Sequence, residues 1–208
     1  MKTDKFNYDL PEYLIAQYPS SQRTDSKLLV AIESIKHQVF RDIENYINKG
    51  DLLILNKTSV IPARLHGEKT TGGKIEILLE RFLSNHQTLT QVRSSRSPKV
   101  GAELVFAFKG KKFLATVIGR QDNFFILDWS DDPKYLFEQY GQIPLPPYMN
   151  RAAEKLDEER YETIYADPDK KESVAAPTAG MHFDQELLSV LEEKGVEFGY
   201  VNLHVGAG

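Results

Sequence analysis

Residues 173–183 (SVAAPTAGMHF) set small side chains, a proline and a glycine just ahead of a His-Phe pair. Small side chains let a backbone come close to a ligand, and Gly180 has access to φ/ψ values that other residues avoid. Histidine exchanges protons near neutral pH, so His182 is a candidate acid or base. Thr178 and exposed amides can hold a polar group. A tight strand-to-helix turn with close packing fits the same residues, and composition leaves both readings open.

Two further stretches carry candidate groups. Residues 56–65 (NKTSVIPARL) follow the apolar run 51–55 (DLLIL). Ligands of α/β sheets often sit beyond the C-terminal ends of strands. Asn56, Thr58 and Arg64 are therefore possible binding groups, and a plain connector fits equally. Residues 202–208 (NLHVGAG) contain a Gly-x-Gly, but no helical pattern follows it and no GxxxxGK[ST] occurs, so a phosphate loop is not indicated. His37, His66, His86, His182 and His204 include no pair at three- to five-residue spacing, so no metal site is indicated. There is no GxSxG nucleophile elbow. Cysteine is absent, which excludes disulfides and thiol chemistry.

The composition is that of an ordinary folded protein. Of 208 residues, 41% are hydrophobic and 27% charged, enough for a real core in one or two domains. A net charge of -4 argues against a wholly basic nucleic-acid coat. Any RNA contact must then use a local patch. Between Gln91 and Lys112 the basic residues Arg93, Arg96, Lys99, Lys109, Lys111 and Lys112 face Glu103 alone. Such a face can track phosphates; a solvated charged face fits as well. No signal peptide or apolar run of membrane-spanning length is present, and a cytoplasmic location is expected.

These groups need elements to place them. Asp9 and Glu12 fit a helix cap, with Leu10, Tyr13, Leu14 and Tyr18 on one face. Residues 28–32 read as a buried strand, 39–49 as a helix closed by Gly50, and 51–55 as a strand, an α/β texture. From about His66 to Trp129 the texture is β only. Strands are expected at 74–82, 88–92, 103–108, 113–118 and 123–129, as in a small barrel. A helix over 133–140 stops at Gly141. The stiff PLPPY segment follows. Asp184 then caps a helix over 185–194, and a strand covers 198–205. The plan is a three-layer α/β domain interrupted by an inserted small β-barrel: 1–66 and 143–208 form the α/β part, 67–142 the barrel.

Ordered matches make the reading sharper. Residues 6–19 (FNYDLPEYLIAQYP), 26–30 (SKLLV), 50–67 (GDLLILNKTSVIPARLHG), 71–79 (TGGKIEILL), 141–149 (GQIPLPPYM), 159–166 (ERYETIYA), 173–183 and 202–208 resemble the S-adenosylmethionine:tRNA ribosyltransferase-isomerases of queuosine biosynthesis. The resemblance runs over nearly the whole chain. It implies the barrel-in-α/β fold. It also implies transfer and isomerisation of the ribosyl part of S-adenosylmethionine onto 7-aminomethyl-7-deazaguanine at the wobble position of tRNA. The products would be epoxyqueuosine-tRNA, adenine and methionine. No cofactor is implied, because S-adenosylmethionine is consumed as a substrate. The partners are that tRNA and S-adenosylmethionine, with no membrane, and a monomer is expected.

By chemical type, the resemblance marks His182 and His204 for proton transfer. Arg64, Arg160, Tyr161, Ala175, Pro177, Thr178 and Gly180 are marked for substrate. Arg93, Arg96 and Lys99 are the candidate tRNA contacts. The alternatives are a non-catalytic RNA-binding module and an inactive truncated remnant. The sequence departs from the family pattern at Lys57 and Ser59, where an Asp and an Arg are usual, and in lacking a barrel tryptophan ahead of the basic loop. Family members continue well past Gly208. The expectation is that this stretch is an N-terminal part and releases no adenine alone; incubation with cognate tRNA and S-adenosylmethionine, followed by adenine assay, checks it.

Overall fold

The computed structural model describes residues 2–206. Its first strands are short: β1 (Lys27–Ala31), β2 (Ile35–Val39), β3 (Leu52–Asn56) and β4 (Ser59–Val60). Longer ones follow: β5 (Arg64–Lys69), β6 (Lys74–Phe82), β7 (Gln87–Ser94), β8 (Glu103–Phe108), β9 (Lys111–Gln121) and β10 (Phe124–Trp129). Then come helices α1 (Pro133–Tyr140) and α2 (Lys155–Arg160), strand β11 (Lys171–Ser173), helix α3 (Gln185–Glu193) and strand β12 (Glu197–Val201).

Strands β5 to β10 close into a barrel in the order β10-β7-β6-β5-β8-β9. Alternation decides which side chains fill it. Ile75, Ile77 and Leu79 point inward from β6, and Leu104 and Phe106 from β8. Trp129 is buried among them and donates its indole N–H to Thr88 Oγ1 at 2.8 Å. That bond removes the cost of burying a polar atom. Helix α1 plugs one end with Leu136 and Phe137, both fully buried. Pro133 opens it, and the Asp132 carboxylate accepts from Lys134 N–H at 2.9 Å. The β6–β7 register slips between Leu79 and Arg81, so Glu80 is an extra residue, buried next to Leu79 and close to His204.

The rest is mixed α/β. Parallel pairs join β3 to β12 and β4 to β11. One face of the β3–β12 pair meets α3: Leu53, Leu55 and Phe198 pack with Leu187, Leu188 and Leu191. The Asp184 carboxylate caps α3 by accepting from Leu187 N–H, and it also accepts from the Thr24 hydroxyl, both at 2.9 Å.

Several sequence expectations change. The helix from Asp9 shrinks to a 3-10 turn over Glu12–Leu14, with Leu10, Tyr13, Leu14 and Tyr18 exposed. A helical face with nothing to bury against does not repay nucleation. The expected helix over 39–49 is a 3-10 helix, Phe40–Asn45, anchored by buried Phe40. The strand near residue 28 is mostly exposed, and it pairs with β2 as a hairpin rather than joining β3. The barrel has six strands, because Arg64–Lys69 is one. The Asp184-capped helix and the helix before Gly141 stand where the sequence puts them.

The chain enters and leaves the barrel at one point. Arg64 N–H donates to Gln142 O at 3.1 Å, and Gln142 N–H donates back to Arg64 O at 2.9 Å. Gly141 makes this neck possible: a Cβ there would lie 1.9 Å from Pro62 O and 2.3 Å from Phe137 O. Both are backbone atoms with little room to move. Gly141→Ala is therefore expected to lower stability by about 1–3 kcal/mol, read as a fall in the denaturation midpoint; an unchanged midpoint would show the neck to be slack.

Candidate functional site

All eight matched stretches contribute to one cleft with two lobes. The PLPPYM segment and Tyr161 form the wall between them, since Leu145, Pro146, Met149 and Tyr161 line both.

The first lobe is a cavity of about 490 Å³. It gathers Arg160, Tyr161, Thr178 and His182, four of the sequence-predicted groups, with Tyr18, Arg23 and Tyr148. Residues Thr178–His182 form a 3-10 turn that presents His182. The imidazole rests against Phe40, ring centres 5.1 Å apart. Burial first, and the nearby Arg23 guanidinium second, hold its pKa below the usual histidine value. A neutral ring at pH 7 is able to accept a proton. Arg23 fixes the turn from outside: its guanidinium donates to Met181 O at 2.9 Å and to Glu159 O at 3.0 Å. Arg160 donates to Ser21 O at 3.3 Å, while its buried Nε has no hydrogen-bond partner.

Gly180 serves the turn through its size, not its φ. A Cβ there would lie 2.1 Å from the Tyr165 hydroxyl. Burial, with a smaller push from Tyr200, raises the Tyr165 phenol to about 12, so it stays protonated. Gly180 is buried beneath this ring and lines neither lobe, and Pro177 precedes the turn outside both.

The second lobe holds about 530 Å³ and is bounded by the outer barrel face. Arg64, Glu76 and Arg93 line it, with Ala175 and Gly206 opposite. Arg64 donates to Leu145 O at 3.1 Å. Its Nε lies 3.4 Å from Glu76 but lacks an aligned hydrogen bond. Arg151 braces the two lobes. Its guanidinium binds both oxygens of Asp157 at 2.6 and 2.7 Å, donates to Gln17 O at 2.7 Å, and stacks 4.4 Å over the Tyr18 ring. The pairing holds the Asp157 carboxyl below its ordinary value.

His204 lies elsewhere. It lines a separate cavity of about 590 Å³ with Arg81, Phe82, Lys134 and Lys171. Its Nδ1 is 2.8 Å from Glu172 O, which accepts, and its Nε2 is 3.8 Å from Glu80. The two histidines thus do not share a lobe. Arg96 and Lys99 stand on the exposed barrel surface away from the cleft, and only Arg93 of that trio reaches it.

Asn56 and Thr58 are fully engaged in structure. The Asn56 amide both donates to and accepts from the Leu203 backbone at 3.0 Å. The Thr58 hydroxyl meets Ser173 Oγ at 2.7 Å, and Ser173 Oγ accepts Val205 N–H at 2.9 Å. The departures at 57 and 59 also find partners: Lys57 pairs with Asp167 at 2.8 Å, and Ser59 donates to Glu162 at 2.7 Å. The sequence reading missed Arg23, Glu76, Arg151 and Asp157, which sit in no recognisable spacing. Among the described residues no cluster of His, Asp and Glu could hold a metal ion, and no helix is long and apolar enough to cross a membrane.

A closed barrel joined at one neck to an α/β body, with an arginine-rich cleft between them, defines a mixed α/β protein with a polar cleft. The chain belongs to the family described as queuosine biosynthesis protein, whose profile matches residues 3–208. It is 47% identical to an S-adenosylmethionine:tRNA ribosyltransferase-isomerase of Acinetobacter baylyi, over all of this chain and 60% of that protein. It is 46% identical to the protein of the same name from Acinetobacter baumannii, with the same coverage. The chain thus spans about three-fifths of the length of these curated relatives. The crystal structure of an S-adenosylmethionine tRNA ribosyltransferase from Thermotoga maritima aligns at 33% identity over 97% of this chain and 58% of that one, with a TM-score of 0.38.

The His182 environment can be checked directly. An NMR titration should place its midpoint below about 6.5, and Arg23→Ala should raise it only part of the way, because burial is the larger cause. The unfolded chain then takes the proton more readily. The stability contribution is intact above about 6.5 and is lost as pH falls through the folded midpoint. A midpoint above the unperturbed value contradicts this placement.

Proposed function

We propose that this chain is part of an enzyme that transfers and isomerises the ribosyl moiety of S-adenosylmethionine onto 7-aminomethyl-7-deazaguanine in tRNA, releasing adenine and methionine. The observation that carries the reading is convergence: family-matched stretches far apart in sequence line one two-lobed cleft. The relatives' names support S-adenosylmethionine, tRNA and a ribosyl transfer with isomerisation; the modified base and the released adenine and methionine follow from the family resemblance of the sequence.

The chemistry can be laid onto the cleft. Loss of a C5′ proton beside a sulfonium needs a base, and neutral His182 in the first lobe is our choice. Arg160 and Arg64, one lining each lobe, each keep a buried Nε without an aligned hydrogen bond, that of Arg64 beside Glu76. They suit the methionine carboxylate and a phosphate. Tyr148 and Tyr161 offer aromatic faces to the sulfonium. Thr178 faces the same lobe and suits a ribose hydroxyl. Ala175, small and in the second lobe, leaves room for a base. His204 would serve the later protonation of adenine only if substrate or chain brought it to the cleft. Pro177 and Gly180 shape the turn and need not touch ligand.

The domain reading is an α/β part of 1–66 and 143–208 in three layers, with 67–142 inserted as the barrel. Support comes from the neck at Arg64 and Gln142, where the two crossings lie side by side. Leu52 and Ile54 on the outer face of the β3–β12 pair, 59% and 52% exposed, suit a further layer. A cytoplasmic monomer consuming S-adenosylmethionine without a cofactor completes the proposal.

In a protein of the relatives' length carrying this stretch, His182→Ala is expected to slow adenine release by about 10²–10⁴-fold while S-adenosylmethionine still binds by calorimetry. Wild-type turnover in the variant would remove His182 as the base. Failure of the unsubstituted protein to release adenine with tRNA would end the enzymatic reading.

A further inference from the structure

The barrel closes through its weakest pairing. Strands β5 and β8, of six residues each, are in register at only Glu68↔Val105 and Lys69↔Leu104. Beyond these positions the strands diverge, and a groove of about 630 Å³ opens along the seam. His66, Lys69, Lys74 and Lys112 line it, with Glu68 the acidic residue in the lining. None of the three lysines forms an ion pair among the described residues. Lys69 Nζ donates to the Arg96 carbonyl, which ties the groove to the basic loop.

The groove and the second lobe lie on the same outer face of the barrel. Alternation puts Arg64, His66 and Glu68 on the outer face of β5, and Lys74, Glu76 and Leu78 on the outer face of β6. Register sets these side by side: Arg64↔Leu78, His66↔Glu76, Glu68↔Lys74. Arg93 of β7 lies opposite Glu76. The Arg64 end belongs to the second lobe and the Lys74 end to the seam groove. Four residues of strand separate them, about 13 Å. A few nucleotides of single-stranded RNA span that distance.

We propose that the seam groove binds the phosphodiester backbone of RNA next to the nucleotide held in the second lobe, with Lys69, Lys74 and Lys112 as the phosphate contacts. This rests on the RNA substrate of the reading above and adds a track that the Arg93, Arg96 and Lys99 assignment does not contain. RNA is favoured over an acidic peptide, because the groove shares one outer barrel face with the lobe of Arg64 and Arg93, at a spacing that a few nucleotides span.

The test uses this chain and a fluorescently labelled anticodon stem-loop transcript. Affinity is measured by anisotropy between about 50 and about 200 mM salt. The triple variant K69A/K74A/K112A should shrink the slope of log K against log salt by about 2–3, at roughly 0.7–0.9 per lost phosphate contact. The charge-keeping variant K69R/K74R/K112R should keep the slope. A control with three distant exposed lysines removed, K2A/K36A/K155A, should leave it nearly unchanged. An unchanged slope in the seam variant, an equal loss in the control, or no RNA binding at all overturns the groove. So does a polyglutamate peptide that competes as well as the stem-loop. Calorimetry with S-adenosylmethionine separates this from the enzymatic reading: a failed groove with S-adenosylmethionine binding retained leaves that reading standing, while loss of both removes it.

Discussion

A backbone that leaves its strand inside a protein must still satisfy its amides and carbonyls, and the cleft depends on how residues 202–206 do so. Past Val201 this segment has no strand neighbour. Asn56 takes both polar groups of Leu203, Ser173 Oγ takes Val205 N–H, and the amides of Val174 and Ala175 take Val205 O. Thr58, fully buried, fixes Ser173 in turn. These bonds lay the segment between barrel and α/β body. His204 then faces one cavity and Gly206 the other. Gly206 passes over the Glu80 carboxylate at the β6 bulge. Loss of the Ser173 hydroxyl would leave the part-buried Val205 N–H and the buried Thr58 hydroxyl without this partner, and unmade bonds cost more than made ones return.

The electrostatics follow from the same placement. Arginines outnumber carboxylates in the cleft, but most are committed to carbonyls: Arg23 to Met181 and Glu159, Arg64 to Leu145, Arg160 to Ser21. They staple irregular segments, and the Nε atoms of Arg64 and Arg160 are left buried without an aligned hydrogen bond. The Arg151–Asp157 pair is the strongest of these ties, being bidentate and largely shielded from water. It fixes α2 and the segment at Gln17 to each other, so the first lobe keeps its wall without help from regular structure.

Much of this was legible from residue order, and the parts that were not have physical reasons. Short β-type runs gave most of the barrel strands, the stop at Gly141 gave α1 and the Asp184 cap gave α3, because those signals are local. Helical spacing at Leu10 to Tyr18 misled, since periodicity cannot say whether a partner surface exists. Arg64–Lys69 hid as a strand inside a motif that looked like a connector. His182, Arg160, Tyr161 and Thr178 were found and do share a lobe. His204 carried the same chemical promise but the fold sends it to another cavity. Arg23, Arg151 and Asp157 act through partners more than a hundred residues away or through geometry that spacing does not encode.

The bridge between Arg64 and Gln142 has a topological meaning. Two ends that meet within a hydrogen bond can be joined by a short turn without rethreading anything else. The barrel is thus a unit whose length could change between Arg64 and Gln142 without altering the path of the chain on either side.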